Sequence, residues 1–525
     1  MRNRRPLIGG LCLVLVAVVG TQLWFPSPEG PLEGARLKTP NEILAGTNQQ
    51  KLGLEIETFC SRCHNMPSPD LYPAHEWPTE INRALGFHRA SGSTIPEPDN
   101  KTMVAWFQAR SGVREVDRRP LAVPTNSVFD SGVVQRKANP TTIASLIAMR
   151  QQDRLTVYSV NLLNGLVEKT VGDVHFKLCG VGYPSRIRRC DLDDQCETEF
   201  LVSDLGTPAA TDERVGQVIW VRETEVNGIP TAETAVLAKD LGRVADARSA
   251  DFDGDGDEDV VIAEFGWDKV GSVILLENHG DRFEQRVVLQ QHGPVEIEIG
   301  DVDGDGLDDF VVVFGQEFET VQLFANRGEL KFESRQLYRA STPAFGMSSV
   351  ELVDMDGDRD LDIAFTSGDM YDANFAQPHH GVYLLQNDGE MEFTASRVGT
   401  QVAAMSCAAG DIDNDGDVDL VVGSFFPEMT NYATSEAYPA LVVYTQTAPR
   451  EFNATPLKAG DCTHTAVDLF DADGDGDQDL LVGHFHDQSR GDRPAITMWT
   501  NRGVSTASIP PTGARTLTQR TREAH

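Results

Sequence analysis

Two residue patterns in this 525-residue chain could do chemistry. The first is ETFCSRCHNMP at 57–67, which sets Cys60, Cys63 and His64 in the order Cys-x-x-Cys-His. Thiols at this spacing can bond the two vinyl groups of a haem, while the adjacent imidazole takes the iron as proximal ligand. A redox dithiol would want a thioredoxin-like strand and helix, which NQQKLGLEIETF does not offer, and a zinc half-site would want a second Cys or His pair at suitable spacing. One covalent haem c is the expected cofactor. For the sixth iron position the sequence offers His88 ahead of Met103, with an open or water-bound position as the third alternative; Met66 lies too close to His64 to reach the other side of the ring.

The second pattern is an acidic run that recurs as DFDGDGDED at 251, DVDGDGLDD at 301, DMDGDRDLD at 354, DIDNDGDVD at 411 and DADGDGDQD at 471. A weak copy, DLDDQCETE, starts at 191. Carboxylates at loop positions 1, 3, 5 and 9, with a backbone carbonyl at 7 and Gly for the turn, can wrap a hard cation of calcium's size. The ligands so named are Asp251, Asp253, Asp255 and Asp259, with the carbonyl of Asp257; Asp301, Asp303, Asp305 and Asp309; and Asp354, Asp356, Asp358 and Asp362. The series continues with Asp411, Asp413, Asp415 and Asp419, then Asp471, Asp473, Asp475 and Asp479, with Asp477 beside them. An EF-hand would need Glu at position 12, where the first copy has Ile262, and helices in place of the Val-rich flanks. About five calcium ions are expected. The copies at 354, with Arg359 for Gly, and at 191, with Gln195, Cys196 and Glu199, are the least regular.

Each pattern needs elements to hold it. Around the cysteines, NEILAGTNQQKLGLEIETF, EWPTEINRALGF and DNKTMVAWFQARS read as three helices, the third capped near Asp99 or Asn100. The acidic copies are spaced by 60, 50, 53, 57 and 60 residues, room for four strands per repeat. After each comes a strand, a Phe-Gly or similar turn, a strand such as VILLENHG, VQLFANRG or VYLLQNDG, and a fourth that begins with Phe. This unit over about 180–505 resembles the FG-GAP/VCBS repeat, the propeller blade also found in integrin alpha chains. The segment CSRCHNMPSPDLYPAHEWPTEI is similar to the haem segment of exported bacterial proteins that join a c-type cytochrome to such repeats. Those proteins often carry a Met on the Trp-led helix, where this chain has Ala84 and Leu85.

The expected fold is mainly β: a seven-bladed FG-GAP/VCBS propeller over 124–505, preceded by a small all-α cytochrome c-like domain over 40–115. Six blades are marked by acidic loops and the seventh is TTIASLIAMRQQDRLTVYSVNLLNGLVEKTVGDVHF, while NSVFDSGVV at 126–134 supplies the strand missing from the last repeat and closes the ring. Residues 1–30, with Arg2, Arg4 and Arg5 before an apolar run, read as an uncleaved signal anchor ahead of a removed signal peptide, and 506–525 as a disordered tail. The body of the protein is then periplasmic and held at the inner membrane, or secreted if the signal is cleaved. A disulfide from Cys190 or Cys196, with Cys179 as one partner, fits that compartment.

With 80 acidic against 45 basic residues and a net charge of −35, the chain is a poor match for nucleic acid. Long loops bring Tyr371, Asp372, His379, His380, Glu428, Tyr432, His484 and His486 to one propeller rim, with His464 nearby; packing and surface roles outrank a metal or substrate site there. The leading function is a single-haem cytochrome whose calcium-stiffened propeller docks a redox protein or small-molecule substrate. An oxidoreductase using the rim, with a metal on His464, His484 and His486, is the alternative, and a calcium-dependent adhesion or scaffold propeller the third.

Overall fold

The computed structural model describes residues 38–61, 66–90, 94–112, 123, 128–138, 141–151, 154–193, 198–280, 282–370, 376–427, 438–486 and 492–503. The chain starts in a helical unit. Thr39 and Glu42 form a capping box at the head of α1 (Pro40–Leu44). The expected single helix over 41–59 is instead two, because Gly46 turns at φ 83° and the side chain of Asn48 caps a new helix, α2 (Gln49–Cys60), by accepting from the Lys51 N–H at 3.1 Å. Helix α3 (Trp77–Ala90) and helix α4 (Asn100–Gln108) follow, the latter capped by Asp99, which accepts from the Thr102 N–H at 3.0 Å. Their shared core is Ile56, Trp77, Leu85, Met103 and Phe107, with Trp77 stacked on Phe107 at 4.0 Å.

The rest is antiparallel sheet. Five four-stranded sheets occupy 184–241, 244–289, 294–339, 347–400 and 404–459, each pairing its strands in chain order. An eight-stranded sheet joins two four-stranded halves through the Thr141↔His486 and Thr142↔Phe485 pairs. One half is built from 141–180 and the other from 464–501 together with the strand Phe129–Ala138. That strand runs antiparallel to Asp492–Asn501 from Phe129↔Asn501 to Ala138↔Asp492, so chain from both ends of the β region meets in one sheet. The first strand of each unit contacts the first strand of the next, and His464–Phe470 contacts Thr141–Gln151 to return to the start. The arrangement is propeller-like. Second strands such as Asp259–Glu264 and Asp309–Phe314 are buried along their whole length, and fourth strands such as Phe283–Leu289 lie half open at the outside.

Among the described residues no helix is long and apolar enough to cross a membrane. The candidate anchor and the tail lie outside the described residues. Cys179 and Cys190 are not joined to each other, so the disulfide suggested between them is absent; Cys196 is outside the described residues.

Candidate metal loops and cofactor cavity

Every acidic copy joins the first strand of its sheet to the second. The position-1 carboxylate folds the loop back on itself: Asp251 accepts from Gly254, Asp255 and Gly256 N–H groups at 2.8, 3.1 and 3.1 Å, and Asp301 and Asp411 accept from the matching positions 5 and 6. The position-9 carboxylate is buried and accepts from the end of the third strand, as Asp259 does from the Asn278 N–H at 2.8 Å and Asp309 from Asn326 at 2.7 Å. What remains over is oxygen. Asp259 Oδ2, Asp303 Oδ1, Asp356 Oδ1 and Asp413 Oδ1 are buried with no donor among the described residues. Three carboxylates stand within 4.8 Å of one another in Asp251, Asp253 and Asp255; in Asp301, Asp303 and Asp309; in Asp354, Asp356 and Asp358; and in Asp411, Asp413 and Asp419.

Burial first, and crowding by neighbouring carboxylates after it, push Asp259, Asp309 and Asp419 up to about 6 and Asp362 to about 7. Such loops fit a divalent cation, whose charge would satisfy the orphan oxygens and relieve the repulsion. The weak copy is also assembled: Asp191, Asp193 and Glu199 converge, although Arg222 reaches Asp193 at 2.7 Å and competes for its charge.

The third strands carry residues that the sequence pattern displayed without revealing their use. Asn326 donates its Nδ2 to the Phe252 carbonyl of the preceding sheet at 2.7 Å, Asn387 reaches Val302 O, Gln446 reaches Met355 O and Asn501 reaches Ile412 O. The recurring amide after ILLE, LFA or LLQ was the visible signal.

Histidines of the expected rim are core residues. His379 is pushed down to about 4 by burial and its Nε2 bonds the Ala344 carbonyl at 3.0 Å; His380 is also lowered by burial. His464, His484 and His486 do lie together, His464 tilted against His484 at 4.9 Å and His484 stacked on His486 at 5.9 Å between centroids. Yet His484 spends both nitrogens on the Thr463 and Thr497 hydroxyls, and His486 bonds Pro494 O and Arg493. Burial holds His484 down at about 3, as a neutral packed ring. Tyr371, Asp372, Glu428 and Tyr432 lie outside the described residues.

A cavity of about 380 Å³ lies where the helical unit meets the propeller-like part. Cys60 at the end of α2, His88 on α3 and Met103 on α4 all line it, among Leu71, Tyr72, Trp77 and Ile81. The Cys60 thiol, which would bond a vinyl group, and the His88 imidazole and Met103 thioether, the two side chains offered to the iron, thus line one mostly apolar cavity, and groups of these kinds fit a covalently held haem; Cys63 and His64 lie outside the described residues. The two side chains offered for the sixth position differ. His88 Nε2 is tied to the Ile95 carbonyl at 3.0 Å, whereas Met103 is 1 % exposed and packs in the apolar core of the helical unit. The opposite wall, not anticipated from sequence, is Trp267, Asp268, His292, Gln316, Glu317, Phe318, Pro343 and Ala344.

The FG-GAP-like repeat family matches residues 251–312, 301–365 and 370–422, which take in the acidic loops at 251, 301, 354 and 411. No curated protein matches the sequence. Among solved structures, a luciferin-regenerating enzyme is similar with a TM-score of 0.39 and 12 % identity, over 63 % of this chain and 99 % of that one. The chain therefore carries FG-GAP-like repeats within a mainly β, propeller-like fold.

Proposed function

We propose that this protein is an exported electron-transfer protein: a seven-bladed, calcium-stiffened propeller that holds a single covalent haem against one of its faces. The observation that carries the reading is the convergence of Cys60, His88 and Met103 on one cavity beside the propeller. Haem supplies one-electron chemistry when bound; the chain supplies the thiols of Cys60 and Cys63, the proximal imidazole of His64 and an apolar enclosure from Trp77 and Ile81. The geometry favours Met103 over His88 as sixth ligand, since His88 would first have to give up its bond to Ile95. The closed cycle of first strands supports seven blades, and the orphan carboxylate oxygens support calcium in the loops at 251, 301, 354 and 411. The basic and apolar start of the chain supports export with the body outside the inner membrane. A redox protein or small molecule is the expected electron partner.

The test is protein exported by cells with c-type haem assembly, assayed for covalent haem and bound metal. One haem and about five calcium ions per chain are expected. A chain without haem overturns the electron-transfer reading and leaves a calcium-binding propeller. Substituting Met103→Ala should replace the low-spin spectrum of the reduced protein by a high-spin or water-bound one, while His88→Ala should leave it low-spin; the reverse pattern would return the ligand role to His88.

A further inference from the structure

The geometry points to a cofactor site with two owners: the propeller face, through Trp267, His292 and Phe318, forms the second wall of the haem cavity and sets how much water reaches the iron. This inference rests on the haem reading above and adds to it a role for the propeller that a docking surface does not require.

The topology brings these residues together. Acidic loops connect first to second strands, so in an up-and-down sheet the connections from second to third strand, and from fourth strand to the next sheet, emerge on the opposite face. Trp267, His292, Gln316, Phe318 and Ala344 all belong to those opposite connections, in three successive sheets. The helical unit therefore sits over the face away from the metal loops. It is keyed there by Ala344, which packs into the helical core, and by Gln377, whose Nε2 donates to the Leu71 carbonyl at 2.9 Å in a buried setting.

The wall is rigid. Asp212 Oδ1 accepts from the N–H groups of Asp268, Lys269 and Val270 at 3.0, 2.9 and 3.0 Å, and the buried Arg243 guanidinium lies over the rings of Phe265 and Trp267 while donating to Gly266 O. In the adjoining loop Gln316 and Glu319 hold φ of 54° and 45°, a left-handed conformation that residues with a side chain rarely adopt. Glu319 keeps it there by accepting from Met347 N–H at 3.0 Å through its carboxylate and from Ala340 N–H at 2.9 Å through its backbone. His292 tilts against Phe318 at 5.0 Å and bonds Glu317 at 2.9 Å, which fixes both rings at the cavity edge. Gln316 is 9 % exposed, lines the cavity, and has a buried Oε1 with no donor, so a polar group of the occupant is what would satisfy it.

The rings of Trp267 and Phe318 are the apolar part of this wall, and apolar cover disfavours the more highly charged state of an enclosed metal group, so these two rings weigh against the ferric form and raise the reduction potential. Opening the cover admits water and does the reverse. Full-length haem-loaded protein carrying Phe318→Ala or Trp267→Ala should show a lower midpoint potential and severalfold faster binding of exogenous imidazole than wild type, with haem content unchanged. Val287→Ala, on an exposed outer strand, is the control and should match wild type. If the alanine variants do not accumulate folded, Phe318→Val and Trp267→Phe keep the core filled and should move both quantities in the same direction by less. Potentials and imidazole rates equal to the control in every wall variant that folds with wild-type haem content would overturn the inference alone. Wild-type protein with no covalent haem would overturn the haem reading and this inference with it.

Discussion

Arg359 stands at position 6 of the loop at 354, where the loops at 251, 301, 411 and 471 have Gly at φ between 86° and 99°, and its own φ is 82°. Nothing approaches within 4 Å of a Cβ built at Gly256, Gly306 or Gly416, so a side chain at this position meets no clash and the cost is backbone conformation alone. Replacing it, Arg359→Gly, should stabilise the calcium-loaded protein by about 1 kcal/mol, read as a higher denaturation midpoint; an unchanged or lower midpoint would mean that the guanidinium makes an offsetting contribution. Asp356 argues at the same scale. Gln386 donates to its Oδ2 while its Oδ1 stays buried without a donor. Asp356→Ala should therefore remove about one calcium ion per chain and leave the other loops loaded, a result that metal analysis reads directly.

At the scale of elements, the amides that end the third strands tie each sheet to the one before. Asn326 donates its backbone N–H to Asp309 and its side chain to Phe252 O, both fully buried, so Asn326→Ala leaves a carbonyl unpaired and should cost about 1–3 kcal/mol with no loss of bound calcium. Equal loss of calcium and stability would place the residue in the metal site instead. These ties also mark what was legible in the sequence. Acid spacing gave the loops and the order of strands around them, because both depend on local periodicity and turn chemistry, while the missing fourth strand of the last repeat pointed to 126–134 as its supplement, which the structure has at Phe129–Ala138. The pattern overran at Ala45–Asn48, where helical propensity continued but Gly46 and Asn48 broke the helix. It also missed the propeller wall of the cavity: Trp267, His292 and Phe318 come from three connections with no shared motif, and only the three-dimensional meeting of sheet and helical unit joins them.

At the scale of the whole molecule, the first strands of successive sheets meet one another in the middle of the propeller-like part. The first strands bring the guanidiniums of Arg186, Arg188 and Arg248 among the carboxylates of Asp246, Glu296, Glu298, Glu351 and Asp468; Arg186 meets Glu296 at 3.1 Å, and Arg188 bridges Asp246 and Glu296 at 3.1 and 2.6 Å. Arg248 pairs with Glu298, so the acids of this cluster outnumber its cations and Glu351 has no ion pair among the described residues. Burial, and then the neighbouring Glu298 and Glu296, push Glu351 well above the usual carboxylate range, and burial pushes Glu298 to about 7 despite Arg248. A carboxyl raised on folding contributes its full stability below the unfolded value near 4.5 and loses it as pH climbs toward the folded value. From pH 5 to 8 this cluster should therefore destabilise the fold progressively. Glu351→Gln removes one of the titrating groups but keeps a hydrogen-bonding side chain of the same shape, so it should melt close to wild type at pH 5 and be more stable by about 1 kcal/mol at pH 8. Measured as a difference between the two proteins in the same calcium-saturated buffers, the contribution of the metal loops cancels. A difference that stays flat, or shrinks, with rising pH would mean that Glu351 is ionised and paired at the axis, and that the propeller carries its excess acid elsewhere.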